Sequence, residues 1–350
     1  MPTPPGSHIP VLCAEVLDAL SPARGQTYLD ATAGLGGHAS LVAPRLQPGG
    51  RVILNDADPA NLVRAAAAVR EAVGEDDAEK VMIESITGNF AFVPRLLMGS
   101  GRIADLVLAD LGFSSNQMDD GARGFSFMRD GPLDMRLDPA LGSTAADLVN
   151  GLPERELARI LAELGDERHA SRIAQKLVQA RQQGPISTTG QLAELVRSVM
   201  PGSHTGIDPA TRTFQALRIA VNDELGSLES FASDVAREAQ AVFEGEREVV
   251  SRASGSGGAN VEVANGWLSP GAKVAFISFH SLEDRIVKSM TAKVVACGGK
   301  DLLNGTVTPS KAEQASNPRS RSAKLRCVRL PLMSGREAKR AARTARDGIL

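Results

Sequence analysis

The sequence contains few cysteines, no long apolar run and almost no net charge. Its three cysteines, Cys13, Cys297 and Cys327, are too few and too scattered over 350 residues to form a disulfide framework or a zinc site. They are typical of a protein in the reducing cytoplasm, which is the expected location. No apolar run approaches the roughly 18 residues that a membrane span needs, and residues 1–6 lack the charged and apolar regions of a signal peptide. A membrane-embedded or disulfide-stabilised protein is therefore not expected.

The net charge of −2 conceals an uneven distribution of charged residues. Residues 317–346 hold ten arginine and lysine residues against one acid, Glu337, so the remainder of the chain is acidic. A basic segment on an acidic body predicts a polyanionic partner. The alternative is that this segment is an ordinary solvated tail.

A glycine-rich stretch near the N-terminus organises the first half of the chain. Residues 28–30 read as a short strand that ends in an acid, and a turn at 34–38 leads into a helix. A second strand at 51–55 ends at Asp56. Strand, glycine-rich turn, helix, strand and acid form the unit that binds an adenosine-containing cofactor. The glycines let the backbone approach the ligand, and the Asp56 carboxylate is expected to accept hydrogen bonds from both ribose hydroxyls.

Strand and helix patterns continue to alternate as far as Asp110. A helix is predicted over 59–73, a third strand at 81–83 and a fourth, buried strand at 104–109. This alternation predicts an α/β fold with a parallel, doubly wound sheet. A further strand at 273–279 indicates that the sheet resumes late in the chain.

The pattern between these strands is helical instead. After a loop-like region, helices are predicted at 144–150, 154–164, 168–183 and 189–200, and a long helix begins after Asp208 and continues past Leu228. Residues 244–266 are rich in glycine and serine and predict a flexible insertion. The predicted organisation is a first part of the sheet domain at 1–117, an inserted helical domain at 118–207, a second part at 208–330 and a basic tail at 331–350.

The glycine-rich turn alone does not identify the cofactor. Residues 34–39 also fit the G-x-G-x-x-G/A pattern of dinucleotide sites, so a nicotinamide-dependent oxidoreductase is an alternative. A carboxylate at Asp30, just before the turn, would repel a pyrophosphate. Asp30, Asp56 and Asp110 all follow predicted strands, at the edge where open α/β sheets bind ligands. Three acids there favour S-adenosylmethionine, which carries an ammonium and a sulfonium but no phosphate.

The stretch at 110–117 is a candidate for the methyl-acceptor site. A strand that ends in an acid and leads into a polar turn is where methyltransferases of this layout place the acceptor atom. An exocyclic base amine needs hydrogen-bond acceptors around it, and in-line transfer depends on positioning. The candidate catalytic residues are Asp110, Ser114, Ser115 and Asn116.

Two further residues have a predicted place in the cofactor site. His38 is expected to contribute its backbone N–H at the start of a helix rather than a catalytic side chain. Phe90 is expected to cover the adenine, and a place in the core is the alternative.

Seven stretches resemble one family, the small-subunit ribosomal RNA methyltransferase H family, also called MraW. They lie at 8–12, 30–38, 110–120, 123–127, 131–136, 209–224 and 278–285. The resemblance covers the chain from about residue 8 to residue 325, interrupted by the glycine- and serine-rich insertion.

This resemblance implies a class I S-adenosylmethionine-dependent methyltransferase fold with an inserted helical domain that helps to recognise the substrate. It implies methylation of N4 of a cytidine in the decoding centre of 16S ribosomal RNA, with the 30S subunit as partner. The family's cofactor contacts correspond to Gly36, Gly37, His38, Asp56, Phe90, Asp110 and Gln117, to which the turn adds Gly34. No metal site is predicted, and a monomer and a homodimer are both compatible with the sequence.

The chain departs from familiar patterns in two places. Residues 55–58 read Asn-Asp-Ala-Asp where the family more often has Ile-Asp-Arg-Asp, which leaves Asp56 intact. The chain also lacks the Asp/Asn/Ser-Pro-Pro-Tyr/Phe motif of many base-amine methyltransferases, so their catalytic details do not carry over. Phe113, Phe125 or Phe127 could stack on a flipped cytosine instead, or belong to the core.

Charged loops, the helix after Asp208 and the basic segment supply the candidate RNA contacts. Residues 134–136 and 280–285 are expected to line the RNA cleft, and an internal salt-bridge network is the alternative. The candidate contacts are Arg136, Arg212, His280, Arg285, Arg319, Arg321 and Lys324. Arg212 and Arg218 would meet phosphate or pair with neighbouring acids. A non-catalytic RNA-binding or assembly factor that keeps a relic cofactor site is a third reading of the chain.

Overall fold

The computed structural model describes residues 10–74, 81–140, 142–200, 208–246 and 266–340. The stretch at 8–9, almost all of the predicted flexible insertion and the last ten residues of the basic tail lie outside the described residues. The chain divides into two compact units, one formed by Met1–Gly112 with Ser227–Leu350 and the other by Phe113–Gly226. The second unit extends beyond the 118–207 range predicted for the helical insertion.

The described part of the first unit contains one seven-stranded sheet. Its strands are β1 (Thr27–Asp30), β2 (Arg51–Asp56), β3 (Met82–Thr87), β4 (Ala104–Asp110), β5 (Leu268–Ser278), β6 (Lys300–Asp301) and β7 (Lys324–Arg329). The order is β3-β2-β1-β4-β5-β7-β6; the first five strands are parallel, and β7 is antiparallel to β5 and β6. The α/β prediction is confirmed, with an antiparallel edge in addition. Because the strand order reverses at β1, a crevice opens at the carboxyl ends of β1 and β4.

Helices surround this sheet and make up the second unit. The described helices are α1 (Cys13–Leu20), α2 (Gly37–Val42), α3 (Pro59–Val73), α4 (Val93–Gly99), α5 (Ser115–Asp119), α6 (Ala145–Gly151), α7 (Glu154–Gly165), α8 (Ala170–Arg181), α9 (Thr189–Val199), α10 (Ala210–Asn222), α11 (Glu224–Glu244), α12 (Ser281–Ala296) and α13 (Lys311–Ser316). Within the described ranges, none of them combines the length and apolarity that crossing a membrane requires.

Apolar side chains fill both faces of the sheet because successive residues of a strand point to opposite sides. Tyr28 and Leu54 belong to the apolar cluster on one face, whereas Leu29 and Ile53 belong to the cluster on the other. Because apolar side chains are buried on both faces, the pairing register of β1 and β2 is fixed. The carboxyl ends of these two strands therefore hold Asp30 and Asp56 in fixed positions at the sheet edge.

The second unit has its own apolar core, to which α6 through α10 contribute. Here the prediction of one long helix beyond Asp208 is wrong. The backbone of Asp223 adopts the left-handed conformation, with φ of 46°, and separates α10 from α11. The side chain of Asn222 accepts from the N–H of Leu137 and donates to the carbonyl of Met135, which anchors the end of α10 within this unit.

Candidate active site

The glycine-rich turn joins β1 to α2 at the carboxyl edge of the sheet. Gly34 and Gly36 have positive φ angles of 52° and 83°, and a Cβ on Gly36 would lie 2.7 Å from the Cα of Ala65 in α3. A Cβ on Gly37 would lie 2.4 Å from Cγ of Pro10. Backbone conformation and close packing therefore both require glycine here. The absence of side chains at these positions also allows a ligand to approach the main chain.

The Asp56 carboxylate holds the glycine-rich turn to the end of β2. Its Oδ2 accepts from the N–H of Gly34 at 2.8 Å, and its Oδ1 accepts from the N–H of Asp58 at 2.8 Å and from Nδ2 of Asn61 at 3.2 Å. Burial raises the pKa of Asp56 from 3.8 to about 6, and these hydrogen bonds act in the opposite direction. A carboxylate has about four acceptor positions, so this arrangement leaves room for one strong donor rather than two.

Asp30 accepts hydrogen bonds in a network that lies beneath the glycine-rich turn. Its side chain is 2% exposed and accepts from the hydroxyl of Tyr28 at 3.1 Å and from the N–H of Thr32 at 3.4 Å. The hydroxyl of Thr32 in turn accepts from the N–H of Asp110 at 2.8 Å, which links β1 to β4. Burial raises the pKa of Asp30 to about 6 against the opposing charge of His38. Asp30 therefore holds the turn in place. Because it is buried, it acts on a bound ligand through its charge and not through direct contact.

His38 and Asp110 face each other at the carboxyl edge. Nε2 of His38 lies 3.7 Å from Oδ2 of Asp110, too far for a hydrogen bond. The His38 side chain is buried, whereas that of Asp110 is 21% exposed. Among the described residues, neither Nε2 of His38 nor Oδ1 of Asp110 has a hydrogen-bond partner. Buried polar atoms without partners are rare in folded proteins, and here they mark a place where a ligand can bind.

Asn55 is a site residue whose role the sequence analysis did not anticipate. Its Nδ2 donates to the carbonyl of Ala31 at 2.8 Å and to the carbonyl of Gly88 at 3.2 Å. The amide thus connects the beginning of the glycine-rich turn with the loop before Phe90. The departure from the usual isoleucine at this position was the one sequence signal that pointed to it.

Phe90 lies on a short 3-10 helix, Phe90–Phe92, that follows β3. Asn89 caps this helix by accepting from the N–H of Ala91 at 2.9 Å, and its Nδ2 donates to the hydroxyl of Ser227 at 2.6 Å. The half-buried Phe90 ring packs edge-on against Phe231, with 5.5 Å between the ring centroids. This contact holds the Phe90 ring in place, and its cover over the adenine stays a prediction.

The polar turn after β4 crosses the boundary between the two units. Asp110 belongs to the first unit, whereas Ser114, Asn116 and Gln117 belong to the second and lie at the beginning of α5. Oε1 of Gln117 accepts from the N–H of Ser114 at 3.0 Å, and Gln117 is 3% exposed. Gln117 therefore has a structural function as part of a capping box. The side chain of Ser115 lies outside the described part of the structure.

The three phenylalanines that could have stacked on a base are packed within the second unit. Phe113 and Phe125 stack with their ring centroids 5.2 Å apart, and the guanidinium of Arg218 lies 4.8 Å from the centroid of Phe113. Phe127 packs edge-on against Phe214 at 4.8 Å, and Arg197 lies over its ring. The alternative of a core position therefore describes these rings better than a base-stacking role.

Several candidate RNA contacts are engaged in internal ion pairs. Arg136 binds both carboxylate oxygens of Asp134 at 2.8 Å, and Nζ of Lys324 lies 3.3 Å from Oδ2 of Asp284. Arg136 and Lys324 therefore each have an internal ion-pair partner, and their contact with RNA stays a prediction. Arg218 pairs with Glu224 at 2.7 Å and 2.8 Å in the same way.

His280 caps the beginning of α12. Its Nδ1 accepts from the N–H of Glu283 at 3.4 Å, and its Nε2 lies 3.1 Å from Oε1 of Glu283, which is 3% exposed. The remaining candidates, Arg212, Arg285, Arg319 and Arg321, have exposed side chains. Arg212 donates to the carbonyl of Asp166 at 2.8 Å.

The residues at the carboxyl edge fit a cationic adenosine cofactor. Asp110 has an unpartnered buried oxygen, Asp56 keeps one acceptor position, and the glycine-rich turn leaves the main chain accessible. Strand order, turn and acids together define a class I S-adenosylmethionine-dependent methyltransferase, and S-adenosylmethionine is its cofactor.

Comparison with known proteins specifies the family. The chain belongs to the MraW methylase family, which matches residues 6–251 and 236–330. It is 43% identical to ribosomal RNA small subunit methyltransferase H of Symbiobacterium thermophilum over 354 residues, covering 95% of this chain and 99% of that protein. The proteins of the same name from Geobacter sulfurreducens and Deinococcus radiodurans are 43% and 41% identical, over 92% of this chain and 98% and 89% of theirs. This membership decides against the nicotinamide-dependent oxidoreductase that the turn alone left open.

Proposed function

We propose that this protein transfers the methyl group of S-adenosylmethionine to the N4 amine of a cytidine in the decoding centre of 16S ribosomal RNA. Relatives at 41–43% identity over almost their whole length are ribosomal RNA small subunit methyltransferases. The long motifs that resemble that family support the narrower choice of base and atom. The small ribosomal subunit is then the partner, and the cytoplasm is the place of action.

The observation that carries the proposal is the buried acceptor atom Oδ1 of Asp110, which has no hydrogen-bond partner among the described residues. The side chain of Asp110 reaches the surface of the carboxyl edge. The lone pair of an exocyclic base amine is delocalised into the ring, so the amine is a weak nucleophile. An acceptor for one of its N–H bonds orients the amine and increases the electron density on its nitrogen.

The reaction follows from this geometry. S-adenosylmethionine supplies, when bound, a methyl group on a positively charged sulfur, and the methyl passes to the amine nitrogen as the carbon–sulfur bond breaks. In the proposed mechanism Asp110 accepts the N–H hydrogen bond, and the proton that leaves the nitrogen passes to Oδ1 or to water. The hydrogen bond from the Asp110 N–H to Thr32 holds this carboxylate at the end of β4. Ser114, Ser115 and Asn116 are proposed to contact the base.

The remaining residues divide into cofactor and RNA contacts. Asp56 is proposed to accept one ribose hydroxyl, Phe90 to cover the adenine and the turn at Gly34–His38 to bind the methionine part. Gln117 is proposed as a cofactor contact through its backbone, since its side-chain oxygen serves the capping box. The exposed Arg285, Arg319 and Arg321 are proposed to meet RNA phosphates.

The test is methyl transfer from labelled S-adenosylmethionine to purified 30S particles and to naked 16S RNA. Nucleoside mass spectrometry of the product is expected to show N4-methylcytidine. Ribosomal RNA from a deletion strain is expected to lose that nucleoside while keeping 2′-O-methylation. Methyl incorporation into another nucleoside, or persistence of N4-methylcytidine in the deletion strain, would refute the proposed substrate. Thermal stabilisation by S-adenosylmethionine but not by NAD tests the cofactor separately.

A further inference from the structure

The exposed face of α8 carries positive charge and no acid. The opposite face of this helix buries Ala170, Ile173, Ala174 and Leu177 in the core of the second unit. The solvent-facing side forms what we call the basic stripe, which consists of Arg168, Arg172, Gln175, Lys176, Gln179 and Gln183. Every member is exposed except Lys176, which is half-buried. The stripe therefore presents only cations and amides to solvent.

The spacing of the cations follows the helical repeat. Arg172 and Lys176 are four residues apart, so they project from the same side of α8 about 6 Å apart along its axis. Arg168 lies four residues earlier, in the turn that leads into the helix. Arg172 and Lys176 therefore form a row along α8, and Arg168 precedes them in the adjoining turn.

These cations differ from two arginines on the neighbouring helices. On α7, Arg159 is paired with Glu156 and Glu163, and on α9, Arg197 is paired with Asp208. In the described part of the chain, Arg168, Arg172 and Lys176 have neither an ion-pair nor a hydrogen-bond partner. Their charge is thus not neutralised by the protein itself.

The stripe also stands out against the charge of its surroundings. Residues 113–226 contain 15 acids and 12 arginine or lysine residues, so the second unit as a whole is negatively charged. Residues 168–183, by contrast, include no acid. General attraction between this unit and a polyanion is therefore weak, and any such binding has to be local.

We propose that the basic stripe binds the sugar–phosphate backbone of the RNA substrate, an inference that rests on the proposed function. A row of unpaired cations fits the regular charges of a phosphate backbone. The intervening glutamines can both donate to phosphate and accept from ribose hydroxyls. A protein partner fits less well, because the stripe offers none of the apolar or aromatic anchors that form the centre of protein interfaces.

The test uses the full-length protein with the triple substitution R168Q/R172Q/K176Q. The matched control, R64Q/R70Q/K288Q, neutralises three exposed cations on α3 and α12. Binding to naked 16S RNA and to 30S particles is measured over a range of KCl concentrations. Removing three phosphate contacts is expected to reduce the slope of log affinity against log salt concentration by about 2 in magnitude. It is also expected to weaken binding at least tenfold at low salt. The value of kcat at saturating RNA and the affinity for S-adenosylmethionine are expected to stay unchanged.

A second variant separates charge from folding. R168K/R172K keeps the positive charge and is expected to retain the wild-type salt dependence. An unchanged salt dependence in the glutamine variant would overturn the inference. So would weaker binding to 30S particles together with unchanged binding to naked RNA, because the stripe would then contact a ribosomal protein. If the wild-type protein methylates neither substrate, the proposed function fails, whereas the salt dependence of RNA binding still decides the role of the stripe.

Discussion

The imidazole of His38 lies beside the carboxylate of Asp110, with 3.7 Å between Nε2 and Oδ2. The two residues reach the same edge of the sheet from different segments, His38 from the beginning of α2 and Asp110 from the end of β4. Oδ1 of Asp110 is buried and has no hydrogen-bond partner among the described residues. Asp110 thus keeps a buried acceptor atom that the described residues do not use.

The first prediction concerns Oδ1 of Asp110, the oxygen without a hydrogen-bond partner among the described residues. Asp110→Asn keeps the shape of the side chain but replaces one acceptor by a donor, which cannot accept from the base amine. We expect the methyl-transfer rate in single turnovers to fall on the order of 10²-fold. The affinity for S-adenosylmethionine, measured by calorimetry, should fall much less. Glu154→Gln, at an exposed acid in the second unit, is the matched control and should leave both quantities unchanged. A loss confined to cofactor affinity would assign Asp110 to binding alone.

The second prediction concerns Asp56 and pH. Burial raises the pKa of Asp56 to about 6, so the carboxylate that we propose accepts a ribose hydroxyl is mostly protonated at pH 5. The affinity for S-adenosylmethionine is therefore expected to be about tenfold weaker at pH 5 than at pH 7.5. Asp56→Ala should lose about 1–3 kcal/mol of binding free energy at pH 7.5 and should lack this pH dependence. Asp30→Asn is the control and should keep the pH dependence of cofactor affinity. If Asp56→Ala still bound S-adenosylmethionine about tenfold more weakly at pH 5, the proposed ribose contact of Asp56 would be contradicted.

The third prediction concerns stability rather than binding. The pKa of Asp30 is raised from 3.8 to about 6 by burial, so the folded state binds a proton more tightly than the unfolded state. The stability that this proton provides is present below pH 3.8 and is lost as the pH rises through 6. The wild type loses this stability between pH 4.5 and pH 7.5, whereas Asp30→Asn does not. The free energy of unfolding of the variant minus that of the wild type should therefore rise by about 2 kcal/mol over this range. Urea unfolding at the two pH values measures this difference.

Asp134→Asn is the control for that measurement. Burial acts to raise the pKa of Asp134, but the hydrogen bonds and charge of Arg136 outweigh it and hold the pKa below 3.8. The stability that its ionised form contributes is lost only as the pH falls below 3.8. The difference in free energy of unfolding between Asp134→Asn and the wild type should thus be constant from pH 4.5 to pH 7.5. An equally flat difference for Asp30→Asn would show that burial of Asp30 does not raise its pKa.

The local patterns predicted the parts of the site that depend on local structure. Gly34 and Gly36 follow a strand and precede a helix, and the crevice beside them forms because β1 and β4 are parallel neighbours. Periodicity also located α6 to α9, since each helix buries one apolar face. What the sequence could not show was which side chains would be satisfied internally. Arg136 and Lys324 look alike as loop cations, yet the fold places Asp134 and Asp284 next to them.

The break at Asp223 was missed for a related reason. The apolar spacing from Phe214 to Leu228 fits one continuous helix, and the termination depends on contacts made by Asn222 with Met135 and Leu137. These partners are 87 and 85 residues away in sequence. A periodic pattern within the helix carries no information about such contacts.

The fourth prediction concerns the phenylalanine stack. The half-buried Phe113 ring contacts both the Phe125 ring and the guanidinium of Arg218. Phe113→Leu should destabilise the protein by about 1 kcal/mol or more through loss of these ring contacts. The KM for RNA should not change, because the ring is used in contacts within the second unit. Chemical unfolding and steady-state kinetics measure the two effects, and a raised KM at unchanged stability would restore the base-stacking interpretation.

The last prediction concerns Asn55, whose amide joins the carbonyls of Ala31 and Gly88. Asn55→Ile introduces the residue that the family more often has and leaves both carbonyls without this donor. We expect a loss of about 1–3 kcal/mol in free energy of unfolding. We also expect weaker binding of S-adenosylmethionine, because the glycine-rich turn and the loop before Phe90 are then no longer linked. Gln47→Leu removes a comparable bond, from Nε2 to the carbonyl of Val73 at 3.1 Å, and should affect stability alone. Equal loss of cofactor affinity in both variants would mean that Asn55 acts through general stability and not by positioning the cofactor loops.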